Sequence, residues 1–117
     1  MNDLHLTLAM KAERVRWSFA DLRFEDVDTA RVKPGLVELV REIAWSELTT
    51  YSATRRFLVD FEDDPDFTQW ISIWYFEETR HPLALGGWLA RFGVHFDDDA
   101  IRRGRVTSPF AKSRTTI

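Results

Sequence analysis

Three side chains carry the chemistry this sequence can do: Glu47, Glu78 and His81. Glu78 and His81 stand one helical turn apart, on the same side of any helix that contains them. Their stretch runs from Phe67 to Phe92. At helical spacing, Phe67, Ile71, Trp74, Glu78, His81, Leu85, Trp88 and Phe92 form one stripe, with steps alternating between four and three. Six of these residues are large and apolar, so the two ionisable ones interrupt a seam meant for packing. A carboxylate in such a seam is costly unless something compensates it. A metal ion would compensate it, and Glu-x-x-His is a ligand pattern that helical bundles project inward.

A second carboxylate matches the first. Leu36, Val40, Ile43, Glu47, Thr50, Thr54, Phe57 and Phe61 form another stripe with the same alternation. Between the two stripes lies Glu62-Asp63-Asp64-Pro65. Asp64 suits a helix N-cap and Pro65 the first helical position. So short a link makes the two helices antiparallel. Glu47 lies sixteen residues before Asp63 and Glu78 fifteen after it, so the two carboxylates stand at matching heights. The competing reading is a buried polar network in which His81 and Arg80 partner the carboxylates. Glu77 is expected to face Trp70 and Ile73 or solvent.

The elements that position these residues follow in order. Leu4 to Arg16 reads as a short helix, with Leu4, Leu8 and Val15 on one side. Trp17 to Val32 reads as an arm of short turns lying on the main helices. Lys33-Pro34-Gly35 is punctuation. One helix is expected from Leu36 to Phe61, with Trp45, Leu48, Tyr51 and Leu58 widening its apolar face and Arg55 and Arg56 toward water. In the next helix Pro82 deprives the Glu78 carbonyl of its usual donor. That is either tolerated strain or a loosening of the backbone beside the ligands. Gly86-Gly87 allows close approach of another segment, and Gly93 reads as the helix stop. Asp97 to Asp99 read as the start of a short helix reaching Arg103, in preference to a metal site with His95. From Arg105 to Ile117 the chain reads as a basic, solvated tail. The expected organisation is a helix and covering arm over 1–35, a hairpin over 36–93, and a short helix with its tail over 94–117.

Composition bounds the function. The 117 residues are 44% hydrophobic and 14% aromatic, which fits one packed domain. A net charge of −3 gives no global polycation for nucleic acid. Without cysteine there is no disulfide framework, thiolate metal site or cysteine nucleophile. No apolar run has signal-peptide or membrane-spanning character, so a cytoplasmic protein without membrane or nucleic-acid partners is expected.

Two segments carry a family resemblance. Ala44-Trp45-Ser46-Glu47-Leu48-Thr49-Thr50-Tyr51 and Trp74-Tyr75-Phe76-Glu77-Glu78-Thr79-Arg80-His81 resemble the ferritin-like di-iron superfamily. They are most similar to its soluble acyl-carrier-protein desaturase branch. Trp88 to Gly93 and the capped helix after it share the resemblance, which spans roughly Leu36 to Arg105. It implies an all-α hairpin forming half of a four-helix bundle. It implies Glu47 on one iron, Glu78 bridging two and His81 on the first, with manganese also suited to such ligands. The implied activity is oxygen-dependent oxidation of an organic substrate, with a fatty acyl chain the nearest analogy. Pro82 departs from the branch, where a small residue follows the histidine. A complete site takes a second Glu and Glu-x-x-His, which this sequence lacks. A homodimer or another half-bundle is therefore the expected partner. The rival expectation is a non-catalytic helical interaction protein or a truncated fragment.

Overall fold

A computed structural model describes residues 3–107. Regular structure among them is helical: α1 (Leu4–Val15), α2 (Pro34–Leu48), α3 (Thr50–Asp60), α4 (Pro65–Ala90) and α5 (Asp98–Thr107), with no strand. The arm between α1 and α2 holds three single 3-10 turns, Phe19–Asp21, Phe24–Asp26 and Thr29–Arg31. None of the described helices is long and apolar enough to cross a membrane. The expected tail lies mostly outside the described residues, but Arg105 to Thr107 extend α5 beyond the expected end at Arg103.

The chain reverses where the sequence indicates. Asp64 accepts the Phe67 N–H at 3.0 Å and caps α4, with Pro65 in the first turn. The Phe61 and Phe67 rings meet at 4.7 Å beside the link, and Phe57 reaches Trp74 at 6.0 Å. Positions farther before the link thus meet positions farther after it, the signature of an antiparallel pair. Gly93 ends the path of α4 at φ +72, a conformation open to glycine, and the Val94 N–H returns to the Leu89 carbonyl at 3.2 Å. Asp97 caps α5 by accepting from the Ala100 N–H at 2.7 Å, so the acids there start a helix.

One expected helix is two. The path from Pro34 to Asp60 is interrupted at Thr49. The Thr49 N–H bonds back to the Ser46 carbonyl at 3.1 Å and the Ser52 N–H to the Thr49 carbonyl at 3.0 Å, the tighter three-residue spacing. The Thr49 hydroxyl also donates to the Ser46 carbonyl at 2.6 Å. Threonine hydroxyls compete with the backbone for such carbonyls and are poor helix formers in series. By contrast α4 runs unbroken through Pro82. The irregular backbone near the ligands therefore lies two residues after Glu47, and the tolerated-strain reading of Pro82 fits the continuous helix.

The core is small. Ala44, Ala53, Ile71 and Leu89 are the buried hydrophobic residues among those described. Burying a side chain such as Ile71 or Leu89 contributes about 1.5–3 kcal/mol. The expected stripe of α2 and α3 is only partly covered, since Leu36, Ile43 and Phe61 are exposed. Arg56 does not sit in water as expected; it pairs with Asp60 at 3.4 Å in a half-buried position. The arm covers the back of α4 instead. A Cβ at Gly87 would lie 2.6 Å from the Phe24 ring, so glycine there admits the arm as the sequence suggests. Trp45 serves α5, where its ring occupies the space a side chain at Gly104 would need.

Candidate metal centre

The last turn of α2 carries Glu47, and the middle of α4 carries Glu78 and His81. The antiparallel register brings them together. His81 Nδ1 lies 3.6 Å from a Glu47 carboxylate oxygen and 3.5 Å from one of Glu78. One donor atom from each residue falls within 4.8 Å of the others. These gaps exceed hydrogen-bond length. Metal–ligand distances of roughly 2.0–2.2 Å place neighbouring donors roughly 3–4 Å apart around one ion. The three side chains are partly covered, with exposures of 30% for Glu47, 23% for Glu78 and 43% for His81. An ion could thus reach them, and His81 forms the open side.

The electrostatics match. The Glu78 carboxyl is held above its ordinary pKa, first by burial and then by hydrogen bonding and charge repulsion from Glu47, with His81 acting in the opposite direction. Two carboxylates therefore compete for one position with a single imidazole nearby.

Arg80 does not relieve them. It is almost fully buried at 5% exposure, yet it points away from Glu47 and Glu78. One Nη donates to the Trp17 carbonyl, and the guanidinium lies 3.9 Å from the Trp17 ring centre and 4.9 Å from that of Phe19. Its acidic neighbour is Glu77 at 3.6 Å, which in turn pairs with Arg16 at 2.7 Å. Glu77 therefore does not face Trp70 and Ile73 or simply solvent; it ties α4 to the end of α1. The polar-network reading loses its arginine, because Trp17 and Glu77 hold that side chain behind the helix.

Behind the carboxylates opens a cavity of about 390 Å³. Glu47 and Glu78 form one part of its wall, with Tyr51, Tyr75, Thr79 and Pro82 beside them. Leu83, Leu89, Val94, Phe96 and Ile101 make it largely apolar, and His95 and Arg105 border it. The sequence reading missed this lining. Tyr51 stands one turn after Glu47 and Tyr75 one turn before Glu78, a helical spacing that could have flagged them. The contribution of α5 depended on Trp45 packing against Gly104, which no periodicity reveals.

Comparison with protein-family models, curated proteins and solved structures finds no match. The case for this site rests on its own geometry.

Proposed function

We propose that this chain is a metal-binding protein of ferritin-like type, with Glu47, Glu78 and His81 holding iron and with manganese also suited to the set. The observation that carries the reading is the convergence of those three donors within 4.8 Å, with the nearest arginine of α4 committed elsewhere. Glu47 and Glu78 supply hard oxygen donors and His81 a borderline nitrogen, a combination that fits iron and manganese. The Glu78 carboxyl, held above its ordinary pKa beside Glu47, gains most from a cation between them. Such a metal, when bound, supplies dioxygen activation for oxidising an organic substrate, as in a desaturase or oxygenase. The residues of this chain bind and orient the ion, and the apolar wall limits water on the cavity side.

Three donors leave a transition metal under-coordinated, so the reading includes a second half-bundle, most simply another copy of this chain. Exposed apolar residues support a partner. Leu36 and Ile43, exposed at 46% and 44%, share the Glu47 stripe and would be covered by a copy facing it. A two-fold pairing sets like against like and brings a second Glu47, Glu78 and His81 toward the first set. Light scattering tests this: addition of manganese(II) or iron(II) shifts the chain to dimer and a chelator reverses the shift. A chain that remains monomeric at high concentration with metal present removes the paired bundle and with it the claim of catalysis.

A further inference from the structure

Two cavities adjoin on the face opposite the arm. The first is the apolar chamber of about 390 Å³ that begins at Glu47 and Glu78. The second, about 420 Å³, is bordered by Arg55, Arg102 and Arg105. Tyr51 and Arg105 line both, so they form the junction between the two. Arg102 is engaged by Asp99 at 2.8 Å. Arg55 and Arg105 have no carboxylate within ion-pair distance among the described residues. The Arg105 guanidinium is nevertheless held in place, stacked 4.2 Å from the Tyr51 ring centre. The Ser52 hydroxyl fixes its backbone by donating to the Arg105 carbonyl at 2.8 Å. The result is a cation prealigned at the mouth of an apolar chamber, with a second cation beside it.

From this arrangement we propose that the paired cavities bind an amphipathic organic anion. Its apolar body lies along Leu83, Leu89 and Phe96, with its far end toward Glu47 and Glu78. Its head, a carboxylate or a phosphate monoester, sits against Arg105 and Arg55. Guanidinium groups match the planar or multi-oxygen faces of such heads. A chamber of this volume falls within the range of small-ligand sites, about 300–1,000 Å³. The acidic pair repels the head and so orients the ligand tail-first. That this ligand is a substrate rests on the metal reading; that it binds does not.

Calorimetry on the full chain in EDTA tests binding separately from metal. The probes are octanoate, octyl phosphate, octanol and octylammonium. Both anions should bind, and octanol and octylammonium should bind at least about tenfold more weakly, the scale of a lost charge-assisted hydrogen bond. Arg105→Gln should weaken both anions about tenfold and leave octanol unchanged. The tighter of the two anions identifies the head group. Gly86→Leu supplies the cavity control. Gly86 lines the chamber and a Cβ there meets nothing within 4 Å, so a larger side chain starts in open space and extends into the chamber. The variant should keep or raise the Tm and abolish binding of all four probes. Octanol binding as tightly as octanoate, an unaffected Arg105→Gln, or a folded Gly86→Leu that still binds octanoate would each overturn the proposal. Failure of the metal reading leaves these results unchanged.

Discussion

Glu47 and Glu78 reach the same imidazole nitrogen from two helices, at 3.6 and 3.5 Å from His81 Nδ1. Neither distance is a hydrogen bond, and burial, followed by the neighbouring Glu47, holds the Glu78 carboxyl above its ordinary pKa. A cation bound only by the folded state must stabilise it. At a metal concentration about 100 times Kd the gain is about 2.7 kcal/mol, roughly 10 °C or more in Tm for a chain of this size. Melts with and without manganese(II) should show that gain, and Glu47→Gln or Glu78→Gln should lose it.

The pH dependence has a definite sign. The folded state raises the pKa of Glu78, so the folded chain binds its proton more tightly than the unfolded chain does. This contribution is fully present below the ordinary carboxylate pKa and is lost as pH rises through the folded value. Glu78→Gln should remove that loss, giving the metal-free variant a higher Tm than the parent at neutral pH. The two melting points should converge in acid. A parent whose metal-free stability rises through the same window relative to Glu78→Gln contradicts this account.

Adjacent glycines should respond oppositely to alanine. At Gly86 a Cβ enters open space, so Gly86→Ala should stabilise by about 0.5–1 kcal/mol through helix propensity. At Gly87 the same atom would lie 2.6 Å from Phe24, so Gly87→Ala must push the arm away. Overpacking costs typically about 1–3 kcal/mol, enough to offset the gain in propensity. Urea unfolding of the two variants reads the difference directly, and two shifts of the same sign would show that the arm does not rest on α4 there.

Arg80 gives the clearest separation of structural and metal-binding roles. Arg80→Met should lose the bond to the Trp17 carbonyl and the stacking on Trp17 and Phe19, costing about 2 kcal/mol. Metal affinity should stay within twofold of the parent, about the limit set by a coupling of 0.4 kcal/mol. A tenfold change in affinity would place Arg80 in the site after all.

Much of this was legible because antiparallel helices convert sequence distance into height. Equal spans on either side of Asp63 put Glu47 beside Glu78, and the His81 turn follows from helical period alone. Caps and stops were equally local, as Asp64, Asp97 and Gly93 bear out. What periodicity could not convey was competition and covering. The Thr49 hydroxyl breaks a helix whose apolar pattern continues past it. Arg80 turns to the arm because Trp17 and Glu77 wait there, a choice set by residues distant in sequence. The stripe of α2 reads as core throughout, yet Leu36 and Ile43 are left exposed, because periodicity marks an apolar face without showing how far its neighbour covers it.

The central claim is that Glu47, Glu78 and His81 hold one metal ion per chain. Manganese(II) in solution gives a six-line electron paramagnetic resonance signal that broadens away on binding to protein. Titrating the full chain at constant manganese(II) should remove that signal with a stoichiometry of about one ion per chain, as expected for a single three-donor set. Glu47→Gln, Glu78→Gln and His81→Ala should each leave most of the signal in place while retaining helical content. A parent chain that leaves the free-ion signal untouched, or three variants that bind as the parent does, would contradict the account.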